Sequence, residues 1–392
     1  MKIDERMFAL MRETASLLQE NGTIAATEKI QQALQGLMPA GGWAGNAAAS
    51  RPMRDINPPP NAKAGNTGVA SGFVPDLLAS LGIHAPIDGM PFEMPAFPPQ
   101  FDGQENDNAL TPGKFLTGSF TNHAGTRAYK LYTPSAYHGQ ALPLVVMLHG
   151  CTQNPDDFAT GTRFNAIAEE EPCLVLYPAQ ARLANGSRCW NWFNAADQQR
   201  GQGEPSIIAG MTQEIIETYH LAPAQVYIAG LSAGGAMALV MAATYPELYA
   251  AAGIHSGLPY AAAKDLPSAL AAMKGRSAPP ANARLDAIPV IVFHGDRDKT
   301  VHPRNGDQIM RQSMPPQASV DIERGQIRDG HAYTRTFHED CNGKVVAEQW
   351  LIHGAGHAWS GGSSRGSYTD HKGPDASQEM MRFFATHAKL ED

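Results

Sequence analysis

The sequence predicts an α/β fold: a mostly parallel sheet, opened by an antiparallel hairpin, with helices on both faces. Three observations carry that expectation. Short, nearly uninterrupted apolar runs occur at Leu142–Leu148, Cys173–Tyr177, Gln225–Ala229, Ala250–His255 and Ile288–His294. They have the length and continuity of strands buried on both sides. Helical patterns lie between them, clearest at Ser206–Tyr219 and Ala233–Tyr245, and this alternation is the signature of a covered sheet. Ahead of them, Phe115–Thr121 and Arg127–Thr133 alternate in polarity around Asn122-His123-Ala124-Gly125, a turn signal.

In chain order, Met7, Phe8, Met11, Ala15 and Leu18 share one helical face, and Asn21-Gly22 ends that pattern. Ala26, Ile30, Ala33, Leu34 and Leu37 repeat it before Pro39. Residues 1–40 therefore read as a short helical segment. Its apolar face packs on its own chain, mediates oligomerisation or docks on a surface, and the amphipathic pattern alone names no partner. From 41 to 112, Pro58-Pro59-Pro60, Pro98-Pro99 and many Gly, Ala and Asn residues break every periodicity, as in an extended linker. The catalytic domain is expected at 113–392. Its last elements are a strand at Val345–His353 and a closing helix at Asp375–His387.

Composition excludes some functions. Hydrophobic residues make up 43% and charged residues 17%, as in a globular protein with a sizeable core. A formal net charge of −8 argues against nucleic acid or an anionic membrane as a partner. No apolar stretch is long enough for a transmembrane helix, and Met1 to Phe8 shows no signal-peptide pattern. The expected location is cytoplasmic, with extracellular as the alternative. Cys151, Cys173, Cys189 and Cys341 form no C-x-x-C pair, which removes the zinc-finger and thioredoxin readings. Buried free thiols are the simplest expectation. One disulfide stays open, and spacing does not assign it.

The chemistry centres on Gly230-Leu231-Ser232-Ala233-Gly234, between the apolar run Val226-Tyr227-Ile228 and a run of strong helix formers. Strand, tight turn and helix would pass so close that a Cβ at the flanking glycines would collide with backbone. A serine at that apex is a candidate nucleophile, and it makes three demands: a base, an acid behind the base, and donors for an oxyanion. The acid is Asp296 or Asp298, in the turn that follows Ile288–His294. The base is His357, in the glycine-rich stretch His353-Gly354-Ala355-Gly356-His357-Ala358-Trp359. His353 and His357 have the spacing of a helical metal pair, but two intervening glycines oppose a helix there. The Ala233 amide is one oxyanion donor. A second is expected from the loop after Leu144–Leu148, which begins His149-Gly150. Serine, then aspartate, then histidine is the chain order of α/β-hydrolases.

Leu148-His149-Gly150-Cys151-Thr152-Gln153, Arg188-Cys189-Trp190-Asn191-Trp192-Phe193, Gly230-Leu231-Ser232-Ala233-Gly234-Gly235, His255-Ser256-Gly257 and Gly356-His357-Ala358-Trp359 together resemble the poly(3-hydroxybutyrate) depolymerase family of esterases. The resemblance runs from about Phe115 to the C-terminus. It implies an α/β-hydrolase fold, ester hydrolysis through an acyl-enzyme, and no metal or organic cofactor. By the same resemblance the acid falls on Asp298 and the oxyanion amides on Cys151 and Ala233. Related esterases act on feruloyl or acetyl esters of plant polysaccharides, so the substrate stays open between these and hydroxyalkanoate esters. Trp190, Trp192, Phe193 and Trp359 are candidates for a substrate-binding surface or for core packing. A reading of another class is a polymer-granule binding protein whose activity lies in the N-terminal helices; the intact serine, aspartate and histidine set speaks against it.

Overall fold

The computed structural model describes residues 112–389, apart from 281, 282, 284, 286, 287 and 315–317. The expected helical segment at 1–40 and linker at 41–112 thus lie, but for residue 112, outside the described residues. A ten-stranded sheet organises the rest. Its strands are β1 (Lys114–Asn122), β2 (Gly125–Thr133), β3 (Leu144–Leu148), β4 (Leu174–Pro178), β5 (Val226–Leu231), β6 (Ala251–His255), β7 (Val290–Gly295), β8 (Ser319–Gln326), β9 (Ala332–Glu339) and β10 (Val345–Ile352). Their spatial order is β1-β2-β4-β3-β5-β6-β7-β10-β9-β8. From β4 to β10 every neighbouring pair is parallel.

The expected hairpin is present. β1 and β2 pair from Lys114↔Thr133 to Asn122↔Gly125, so His123-Ala124 is the two-residue loop. A second antiparallel wing, β9 on β10 and β8 on β9, extends the opposite edge and departs from the expectation of a single N-terminal hairpin. The reason is local. β8 reads Ser-Val-Asp-Ile-Glu-Arg-Gly-Gln and is exposed along nearly its whole length, with Val320 and Ile322 facing solvent. An edge strand with no buried face has no hydrophobic period to betray it.

The period-two geometry of the central strands divides the core into two layers. Leu144, Val146 and Leu148 of β3 and Ile228 of β5 point to one face, and Val145, Met147 and Tyr227 to the other. The first layer is closed by α3 (Gly203–Thr218), α4 (Ala233–Thr244), α5 (Leu266–Met273) and α6 (Arg304–Ser313). The second is closed by α1 (Pro155–Thr162), α2 (Phe164–Glu170) and α7 (Ala376–Ala385). Every β3 residue is buried. Such side chains stabilise the fold by about 1.5–3 kcal/mol each, which keeps the carboxyl ends of β3, β5, β7 and β10 fixed relative to one another. No helix among the described residues is long and apolar enough to cross a membrane.

Candidate active site

Ser232 sits between the end of β5 and the start of α4 with φ 57° and ψ −118°, a backbone conformation that costs a non-glycine residue of order 1–3 kcal/mol. Close packing enforces it. A Cβ on Gly234 would lie 2.0 Å from the Leu148 carbonyl oxygen, and one on Gly230 would lie 2.4 Å from the Gly234 carbonyl carbon. The Ser232 N–H donates to His255 O at 2.9 Å, and the Ala236 N–H donates to Ser232 O at 2.9 Å. The turn is thereby tied to β6 on one side and to its own helix on the other.

The turn after β7 carries the candidate acid and the loop after β10 the candidate base. His357 Nδ1 donates to Asp298 Oδ2 at 2.7 Å. The Asp298 side chain is wholly buried and His357 is 12% exposed. The other Asp298 oxygen accepts from the Thr300 N–H at 2.9 Å and the Val301 N–H at 2.8 Å. Burial alone would raise the Asp298 pKa. The charge of His357 and hydrogen bonds from His294 and His357 outweigh it and hold the carboxyl well below the usual carboxylate range. With Nδ1 committed to Asp298, His357 has Nε2 left to exchange a proton. Gly295 permits this approach, since a Cβ there would meet Ala355 O at 2.4 Å. The Asp296 N–H to Ile352 O and Arg297 N–H to Ala355 O bonds, both 3.0 Å, bind turn and loop together.

Asp296, the other candidate acid, faces outward and pairs with His353 at 3.0 Å. It also accepts the Gly354 N–H at 2.7 Å. Ser232 follows β5 and His357 follows β10, at the same carboxyl edge of the sheet with β6 and β7 between their strands, and no hydrogen bond joins them among the described residues. Such bonds are often long in a resting site and tighten with substrate.

As the first residue of α4, Ala233 has an N–H with no acceptor inside its helix. At Cys151 the surrounding amides are all engaged: Gly150 N–H with Gln153 Oε1 at 2.9 Å, Thr152 N–H with Ser187 O at 2.7 Å, and Gln153 N–H with Gly150 O at 3.3 Å. The Cys151 N–H makes no hydrogen bond among the described residues. Cys151 is joined to Cys189 by a disulfide, which corrects the expectation of four free thiols; Cys173 is buried and free, and Cys341 exposed and free. The disulfide and Gln153 hold the loop that sequence identified only by its His-Gly. Gln153 carries no sequence signal of its own beyond its place in that motif.

The histidines of the other two motifs are structural. His149 is buried, donates from Nδ1 to Gly150 O at 2.8 Å and accepts the Gln180 N–H at Nε2 at 3.1 Å. Burial lowers its pKa to about 4, so it stays neutral. His255 accepts the Ser360 N–H at Nε2 at 2.9 Å and is likewise held neutral by burial. Between them they anchor the loops after β4 and β10.

The tryptophan expectation needs correction. Trp190 is fully buried and its Nε1–H donates to His149 O at 3.1 Å. Trp359 is 1% exposed, stacks on His255, and donates to Ser377 Oγ at 3.0 Å. Trp192 is 6% exposed and meets Phe193 edge-on. These rings fill the core under the site, and the indole N–H groups of Trp190 and Trp359 are satisfied there. They present no surface to a polymer.

The sheet order and a serine at the sharp turn after β5 define an α/β-hydrolase fold. A solved acetyl xylan esterase from Aspergillus awamori has the same fold, with TM-score 0.53 and 21% identity, covering 69% of this chain and 99% of that one. The sequence profile described as Esterase PHB depolymerase matches residues 127–335, more than half of the chain, and the chain belongs to that family. The matched stretch contains Cys151, Ser232, Ala233 and Asp298, and His357 lies beyond it. A poly(3-hydroxyalkanoate) depolymerase C of Paucimonas lemoignei is 33% identical over 250 residues, 60% of this chain and 59% of that protein. An acetylxylan esterase A of Talaromyces purpureogenus is 34% identical over 159 residues, 40% of each chain. The similarity thus spans under two thirds of these relatives.

Proposed function

We propose that the chain is a serine carboxylic-ester hydrolase acting on hydroxyalkanoate polyester or its oligomers. The observation that carries the reading is the buried Asp298–His357 bond of 2.7 Å at the same carboxyl edge of the sheet as a serine on a strained turn. In the proposed reaction Ser232 Oγ attacks the ester carbonyl carbon while His357 Nε2 takes the hydroxyl proton. The amides of Cys151 and Ala233 bear the charge that develops on the carbonyl oxygen. Collapse breaks the bond to the alcohol, which leaves with the proton from His357. Water then adds to the acyl-enzyme, giving its proton to His357, and release of the acid returns that proton to Ser232.

An acetylxylan-type substrate is the second reading, favoured by the 34% identity to the Talaromyces enzyme. A panel of polyhydroxybutyrate film, its soluble oligomers, acetylated xylan and p-nitrophenyl acetate separates the two. Turnover of oligomers well above that of acetylated xylan supports the first reading, and the reverse order overturns it. Ser232→Ala should abolish every activity in the panel with an unchanged melting temperature. We place the catalytic domain at 113–392, so a chain beginning at residue 113 should keep its activity on soluble esters. For the compartment, the Cys151–Cys189 disulfide favours an oxidising, extracellular setting over the cytoplasm.

A further inference from the structure

A cavity of about 420 Å³ opens at the carboxyl ends of β3 and β4, outside the machinery just described. Arg182 and Arg188 line it, together with His149, Gln180, Asn154 and Asp156. Neither guanidinium makes a hydrogen bond or ion pair among the described residues. The one carboxylate on the wall is already engaged: Asp156 pairs with Lys130 at 3.2 Å. Partial burial and the charge of Arg182 both act against the Arg188 cation and lower its pKa. Two cationic side chains thus line the cavity, and among the described residues neither has an ion-pair partner.

The backbone fixes the Arg188 end of this arrangement. Arg188 has φ 53°, uncommon for a non-glycine residue. Its N–H donates to Asn185 O at 2.8 Å, and the next N–H, of Cys189, donates to Asn185 Oδ1 at 3.2 Å. Cys189 is in turn cross-linked to Cys151. The loop that carries the candidate oxyanion amide and the loop that presents Arg188 are thus one covalent unit.

β3 lies between β4 and β5 in the sheet. The cavity therefore lies about two strand spacings from the Ser232 turn, on the order of 10 Å. Guanidinium pairs match carboxylates in geometry as well as charge. We propose that Arg182 and Arg188 form a subsite for the terminal carboxylate of a hydroxyalkanoate oligomer whose ester bond lies at Ser232. This rests on the hydrolase reading above and adds an acid-end preference to it.

The test uses the full chain with two probes, a 3-hydroxybutyrate trimer as free acid and as methyl ester. Binding is measured by calorimetry on the Ser232→Ala chain, where no turnover intervenes. The free acid should bind about tenfold more tightly than the methyl ester at low salt, as expected for a charge-assisted contact. Arg188→Gln should bring that ratio close to one, Arg182→Gln should reduce it, and the exposed, distant Arg324→Gln should leave it unchanged. On the chain with Ser232 intact, the same preference should appear in KM and not in kcat. Equal binding of acid and ester, or a preference that survives both arginine changes, overturns the subsite. Binding of glucuronate or inorganic phosphate as tight as that of the trimer acid overturns the oligoester assignment. Loss of the hydrolase reading would show separately, as absence of p-nitrophenyl acetate turnover with Ser232 in place.

Discussion

One turn and one loop produce two aspartate–histidine pairs, and their surroundings differ. Asp298 and His357 meet inside, with the carboxylate wholly buried and two backbone N–H groups on its second oxygen. Asp296 and His353 meet outside, with side chains 34% and 40% exposed, and Thr334 Oγ1 donates to the remaining His353 nitrogen at 2.9 Å. The residue types are the same in both pairs. A buried carboxylate fixes the ring and its proton, whereas an exposed one competes with water and is screened. The inner pair also leaves its outer imidazole nitrogen free to act, and the outer pair does not.

The comparison can be broken most forcefully at its inner member. Asp298→Asn should lower kcat on p-nitrophenyl acetate about ten-thousand-fold, because an amide no longer dictates the histidine tautomer. A loss confined to Asp296→Asn would transfer the acid to the outer pair. Acid stability sharpens the contrast next. The depressed Asp298 pKa contributes stability that is present above the unfolded carboxylate range and is lost as pH falls below it. His149 acts earlier: its folded pKa of about 4 lies below the ordinary 6.5, so the unfolded chain binds the proton first and stability falls between those pH values. Melting curves should therefore drop in two stages, with Asp298→Asn altering only the lower one. The smallest effect belongs to Asp296→Asn, where activity should stay within about fivefold of the unsubstituted chain, since exposed pairs contribute ~0–1 kcal/mol.

The local signals of the candidate site were more legible in the sequence than their surroundings. The glycines around Ser232, the strand before them and the helix after are one local signal, and the structure places each where steric reasoning requires. The choice between Asp296 and Asp298 depended on resemblance, because two aspartates in one turn differ only in which side the turn buries. The tryptophans misled for a related reason: aromatic rings beside catalytic residues serve cores and surfaces alike, and only packing distinguishes them. Four cysteines gave no pairing because 38 residues separate Cys151 from Cys189 and only the fold brings them together. β8 went unseen because its exposed residues alternate nothing.

Ser232 is proposed as the nucleophile served by the inner pair. Intact-protein mass spectrometry after brief exposure to a p-nitrophenyl ester at low pH, followed by peptide mapping, tests it directly. One acyl adduct is expected on the peptide containing Ser232, absent in Ser232→Ala and formed far more slowly in Asp298→Asn. An adduct on another residue, or ester turnover that persists in Ser232→Ala, would contradict it.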